Sequence, residues 1–315
     1  MPRKNPPKLT KEKTDEIGCL LMDLGFDAGE YKIFPNTHFA RNMKFYEKEV
    51  NSDRFWYPPL VTTWKRDPKT QKRIEKVPNS KRPANLHQII PTHLIQRKDG
   101  GDLTADFRTN EGAMILRLLD VLYETTTQFH DWWWSGRIHL DKRNFHWLRQ
   151  PDLEVLYKDA FSVWSTWAPA VKQVFLNCCF NFSRSITYEW DYERFTFLYI
   201  CIDAIWWIAE KQYGVKNMIG KKSGGHANRM NAILEHLNLH ENKDIVKKIV
   251  DVRSELFHEG LWGRENPMSG RYGEEYHAMR YLHEIVRCCI LRIIGIQSSF
   301  VRSNWEGYMG WYLWN

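Results

Sequence analysis

Apolar residues recur at helical spacing through most of the second half of the chain. The pattern predicts helices over Asp152 to about Trp164 and Pro169 to about Phe182, with a proline break between them. A long helix is expected from Tyr188 to Tyr213, stopped by Gly214, with an apolar run from Phe195 to Ala209 broken only by Thr196 and Asp203. Shorter helices follow, over His226 to Leu237 and from near Asn242 into DVRSELFHEG. In the latter, Ile245, Ile249, Val252 and Leu256 form a stripe that Val246, Val250 and Phe257 widen. A last helix, Glu274 to Ile296, carries Met279, Leu282, Ile285, Val286, Cys289, Ile290 and Ile293 on its inner face.

The first half alternates differently. VTTWKRDPKTQKRIEKVP reads as two short strands around an Asp-Pro-Lys-Thr turn. HQIIPTHLIQ, a Lys-Asp-Gly-Gly-Asp turn and LTADF read as a second hairpin. A helix is then expected from Thr109 to near His130, with Met114, Ile115, Leu118, Leu119 and Leu122 as its apolar face. The fold class expected is α+β, mainly α. An N-terminal mixed domain of unknown type containing the hairpins covers 1–150, and a helical domain covers 151–315.

Composition narrows the class. A chain of 315 residues at 43% hydrophobic and 26% charged can bury a substantial core. The apolar run at 195–209 is shorter than the roughly 20 residues a bilayer requires, so it predicts a core helix and no membrane partner. The six cysteines show no CxxC spacing, and the adjacent pairs Cys178–Cys179 and Cys288–Cys289 sit in helical patterns. They are expected to be reduced core thiols of a cytoplasmic protein. The opening MPRKNPPKLTKEK has no signal-peptide character and is expected to be a mobile arm.

The charge of +7 is concentrated. Between Lys65 and Arg82 lie eight Lys and Arg against Asp67 and Glu75. Lys65, Arg66, Lys69, Lys72, Arg73 and Lys76 are therefore candidate RNA-binding residues on the basic hairpin. The same composition also suits a solvated hairpin with no ligand. DWWWSGRIHLDKRNFHWLRQPD mixes aromatic and basic residues; packed tryptophans are favoured there over a base-stacking surface. GKKS at 220–223 lacks the upstream glycine and preceding strand of a phosphate loop, and His236 and His240 lack the intervening Glu of a zinc protease.

Two positions conflict with their surroundings. Asp203 interrupts an apolar run and is expected to be buried and paired. Arg253 lies at the edge of its helix's stripe, where a partly buried guanidinium needs a partner. His258 follows five residues later, just before the helix stop Gly260. On an ideal helix five steps place the two side chains about 140° apart, so they share a site only if the last turn loosens or a second subunit completes the pocket.

The stretch RSELFHEG, with a polar Ser254 after Arg253 and Gly260 shortly after His258, resembles the R-x4–6-H motif of HEPN ribonucleases, most of all the Apea-like branch. The resemblance covers about residues 188–296 and implies an up-and-down helical bundle. It places Ile202-Asp203-Ala204-Ile205 where the family carries an acidic helix position, and implies that Asp203 pairs with Arg253 and orients it. Arg253, His258, Ser254 and Asp203 become the candidate catalytic residues. The activity implied is metal-independent RNA cleavage with no cofactor: a ribose 2′-OH attacks the neighbouring phosphate, histidine moves the proton and arginine offsets the charge. The family context implies a homodimer, an antiviral or toxin role, and a possible antitoxin or regulatory partner. The alternative is a non-catalytic RNA-binding or protein-interaction module, in which Arg253 is only an ion-pair partner and His258 only a cation at a helix C-terminus.

Overall fold

A computed structural model describes residues 13–52, 54–56, 64–66, 73–76, 89–130, 137–140, 148–215, 225–239, 243–264 and 273–297; over 64–66 and 73–76 only the backbone is described. The fold is α+β and predominantly helical. The chain divides into two compact units. One comprises Met1–Phe107 and Glu124–Gln150, the other Arg108–Tyr123 and Pro151–Asn315.

The first unit is organised on an antiparallel sheet. Its strands are β1 (Thr14–Gly18), β2 (Phe26–Ala28), β3 (Tyr31–Pro35), β7 (Pro91–Arg97) and β8 (Gln128–Phe129), in the order β2-β3-β7-β1-β8. Side chains alternate across a strand, so the register decides the core face. Ile95 pairs with Ile33 and with Asp15, and His93 pairs with Ile17. These residues and Tyr31 are all buried, which makes one continuous inner face. The helix α1 (Phe39–Glu49) packs on β7. Asn42 Nδ2 donates to the Pro91 carbonyl and Tyr46 Oη to that of Ile90, satisfying backbone that the sheet leaves free. His93 acts as a core residue; burial lowers its pKa to about 3, so it is neutral at physiological pH. Local sequence pattern announces none of β1, β2, β3 or α1.

Two further two-stranded pairs belong to this unit. β4 (Phe55–Trp56) pairs with β9 (Ile138–His139), and the basic hairpin forms from β5 (Trp64–Arg66) and β6 (Arg73–Lys76). Trp64 lies opposite Lys76 and Lys65 opposite Glu75. The turn with Lys69 and Lys72 lies outside the described residues, as do the expected N-terminal arm up to residue 12, most of the aromatic segment after His130, and residues 298–315.

The second expected hairpin does not form. β7 is an interior strand between β3 and β1, and LTADF runs instead into a 3₁₀ turn at Phe107–Thr109. The Asp99 carboxylate accepts from Gly101 N and from the Arg97 guanidinium, which folds the Asp-Gly-Gly segment into a closed turn. The helix expected over 109–130 is also shorter: α2 spans Glu111–Tyr123. Glu124 takes a left-handed φ of 51°, and the β-branched Thr125-Thr126-Thr127 run leads into β8.

The helical unit contains α2, α3 (Gln150–Trp164), α4 (Pro169–Ser185), α5 (Asp191–Tyr213), α6 (His226–His236), α7 (Lys243–Ser254) and α8 (Glu274–Ile293). The expected boundary at 150 puts α2 with the N-terminal part, but α2 is buried on every side within the helical unit. Tyr157 Oη donates to the Ile115 carbonyl, and the buried Arg287 donates Nη2 to that of Leu122. α5 packs against α4, α6 and α8, and α7 packs against α6 and α8. Gly214 at φ 69° ends α5 in a left-handed cap, where its N–H reaches the Glu210 carbonyl. All six cysteines are free thiols. Among the described residues no helix is long and apolar enough to cross a membrane.

Candidate functional site

The site begins with a backbone irregularity. α7 presents Val246, Ile249 and Val252 to the core, then leaves α geometry after Ser254. Glu255–Glu259 form a single π turn, closed where Gly260, at φ 69°, donates its N–H to the Glu255 carbonyl. Leu261 N donates to the same carbonyl at 3.2 Å. In a π turn each hydrogen bond spans five residues, so side chains five apart lie over one another as residues four apart do in an α-helix. This removes the angular conflict between Arg253 and His258. The last turn loosens, and Arg253 Nη1 donates to His258 Nε2 at 3.0 Å. A guanidinium carries only donors, so Nε2 is the acceptor of this hydrogen bond.

Arg253 is half-buried and His258 exposed. The guanidinium carbon lies 5.7 Å from the centre of the Tyr199 ring and 5.2 Å from that of Phe257. The two rings are themselves 6.4 Å apart. Arg253 is therefore held by aromatic faces and a histidine. Its Nε makes no hydrogen bond among the described residues.

The expected Asp203–Arg253 pair is absent, and Asp203 is exposed. The buried face of α5 is Phe195, Leu198, Tyr199, Cys201, Ile202, Ile205, Ile208 and Ala209. Asp203 lies on the opposite stripe, one turn after Ile200, which is also exposed. The flanking apolar residues make the position look central in the sequence, whereas α5 is apolar on its solvent face as well. Asp203 still belongs to the neighbourhood electrostatically. Partial enclosure raises its pKa, and His226, Arg253 and Arg229 pull it back down.

Two residues of the site lie on α6. His226 and Arg229 stand three apart in its first turns, on one face. The His226 ring lies 5.7 Å from that of Tyr199 on α5, and Arg229 lies over Trp206 at 5.9 Å. Burial lowers the His226 pKa most, Arg253 lowers it further, Asp203 opposes, and Arg229 and His258 add to the lowering. Tyr199 is buried, its phenol is pushed above the usual range, and its hydroxyl has no hydrogen-bond partner among the described residues. Sequence reasoning missed His226, Arg229 and Tyr199. The available signals were Tyr199 one helical turn before Asp203, and the His-x-x-Arg spacing at a helix start.

The structure thus brings Arg253 and His258 together and keeps Asp203 nearby but unpaired among the described residues. Ser254 is half-buried at the junction of α and π geometry. Lys65, Arg66, Arg73 and Lys76 lie on the hairpin of the other unit. The arrangement offers an imidazole beside a permanent cation at an open surface, a combination able to hold an anion and move a proton. The chain matches no family model, no curated protein and no solved structure.

Proposed function

We propose that this protein is an endoribonuclease of the HEPN kind, built on α5, α6, α7 and α8. The observation that carries the reading is the Arg253–His258 contact made by the π turn. In the free protein Arg253 occupies the Nε2 lone pair. A phosphodiester competes for the guanidinium, since phosphate binds it far better than a neutral ring nitrogen does. That exchange releases His258 at the moment substrate arrives. A ribose 2′-OH then serves as the nucleophile, and the products are a 2′,3′-cyclic phosphate and a 5′-hydroxyl. The reaction draws its nucleophile from the RNA and needs no metal-activated water.

A homodimer fits this reading. Phe257, exposed beside Arg253, and Ile200, one turn before Asp203, are large apolar side chains that the described residues leave open. The motif-helix ends and the loop from Leu261 to Gly273 are the expected interface. The basic hairpin serves as an RNA contact, and the cytoplasm is the expected compartment.

Incubating the full chain with single-stranded RNA in EDTA tests the proposal. Cleavage to ends that resist ligation requiring a free 3′-hydroxyl, abolished in His258→Ala, is the expected result. Intact RNA with retained binding assigns the non-catalytic module instead. Light scattering at working concentration tests the dimer.

A further inference from the structure

The site holds a second imidazole that the R-x4-H motif does not contain. His226 and Arg229 enter from α6, while Arg253 and His258 enter from α7. Tyr199 joins the two sides: its ring lies 5.7 Å from the His226 ring and 5.7 Å from the Arg253 guanidinium. Cleavage by a ribose 2′-OH needs two proton transfers, one from the nucleophile and one to the leaving oxygen. One histidine can serve both only by acting twice. Resting on the ribonuclease reading above, we infer that His226 is a second catalytic residue, the general base to His258 as general acid, with Arg229 facing Arg253 across the same phosphate.

The two environments divide the roles. His226 is half-buried and crowded by Arg253 and Arg229, so it stays neutral and able to accept a proton. His258 is exposed and gives up its Arg253 partner when the phosphate takes the guanidinium, which frees Nε2 to carry a proton to the leaving oxygen. In the step, the 2′-OH proton passes to a ring nitrogen of His226 and the 2′-oxygen–phosphorus bond forms. The phosphorus–5′-oxygen bond breaks, and His258 gives its proton to that oxygen. His226 ends protonated and His258 neutral, and exchange with water resets both. Asp203, the acidic member of the neighbourhood, opposes the cations around His226 and limits how far its basicity falls.

The test uses the full chain, a mixed-sequence single-stranded RNA, and the four nucleoside 3′-(4-nitrophenyl) phosphates. Nitrophenolate leaves without a proton, so such esters need the base but not the acid. His226→Gln and His226→Asn, each checked for a native melting curve, should lose about 10²–10⁴ in kcat/KM on both substrate types. Their pH–rate profiles should lose the ascending limb, which in the wild type lies below the ordinary histidine value of 6.5 because burial lowers His226. His258→Ala should lose RNA cleavage but keep nitrophenyl ester cleavage. If folded His226 variants cut RNA near the wild-type rate with both limbs intact while His258→Ala is dead, this inference falls and the ribonuclease reading stands. Loss of RNA cleavage alone in the His226 variants overturns the assignment of base and acid. A wild type that cuts neither substrate sinks both readings.

Discussion

The helical unit holds two arginine-centred contacts that look alike on paper. In α2, Arg117 meets Asp120 at 2.5 Å, with side-chain exposures of 7% and 0%. At the end of α7, Arg253 meets His258 at 3.0 Å beside exposed surface. The first joins opposite charges away from water, where a buried charge needs compensation. The second joins a cation to an exposed imidazole acceptor that can be displaced. A sealed pair contributes to specifying the fold and is closed to ligand, whereas an open pair has little to lose when an anion takes the guanidinium. The difference in burial, more than the identity of the residues, separates sealed charge from ligand-accessible charge in this chain.

The sharpest way to break the comparison is to remove the open contact. His258→Ala should cut the cleavage rate by about 10²–10⁴, and its melting temperature should stay within measurement error of the wild type. Arg253→Ala should match it on an RNA gel. A buried pair with Asp203 would have made that variant unstable as well. With Asp203 exposed, the loss is limited to cation–π packing on Tyr199 and Phe257, about 0.5–1 kcal/mol. An Arg253→Ala protein that unfolds readily would move this contact into the structural class.

The sealed pair should answer in the opposite way. Asp120→Ala removes the buried carboxylate beside the Arg117 guanidinium, and breaking such a pair costs about 3–5 kcal/mol. Urea denaturation should show it as a lower midpoint, while the cleavage rate per folded molecule stays at the wild-type value. A stable Asp120→Ala protein would take this pair out of the structural class.

Much of this contrast is legible in the sequence and some is inverted there. The helices of the second half follow from apolar spacing, because each has one face that must be buried. α5 defeats that logic at Asp203. Its apolar residues continue round to Ile200 on the solvent side, so periodicity cannot tell core from surface. Four buried ions of the helices, Arg117, Asp120, Arg287 and Arg292, sit in stretches that read as ordinary amphipathic helix. The π turn is half legible: five-residue spacing is incompatible with one face of an α-helix, which names the conflict without choosing the remedy. His226 and Arg229 are not legible as site residues, because only the packing of α6 on α5 brings them to Tyr199. In the first half the sheet depends on pairings such as Asp15 with Ile95, eighty positions apart, and local pattern carries no record of those.

The basic hairpin offers a third kind of charge, clustered by sequence alone. Reversing Lys69, Lys72, Arg73 and Lys76 should weaken RNA binding by the His258→Ala protein and flatten its salt dependence. Each single-strand phosphate that is no longer neutralised makes the slope of log K against log salt shallower by about 0.7. A slope that does not move returns the hairpin to plain solvated surface.

The smallest expected effect is the most discriminating for the site's wiring. Asp203 is an acid whose pKa is raised in the folded protein, chiefly by desolvation, with His226, Arg253 and Arg229 only partly offsetting it. A carboxyl group with a raised folded pKa binds its proton more tightly folded than unfolded. Its charged form therefore opposes folding at neutral pH, and that penalty fades as pH falls through the folded pKa toward the unfolded value. Because the side chain is exposed, solvent screens the effect. Asp203→Asn should accordingly leave stability at pH 7 unchanged or slightly higher, within about 0.5 kcal/mol, and the two melting curves should converge toward pH 4. An Asp203 that oriented Arg253 through a buried pair would give the reverse: a loss of several kcal/mol at pH 7, present above the unfolded pKa and disappearing in acid. Melting the two proteins side by side across that range decides whether Asp203 belongs with Asp120 or with the open site.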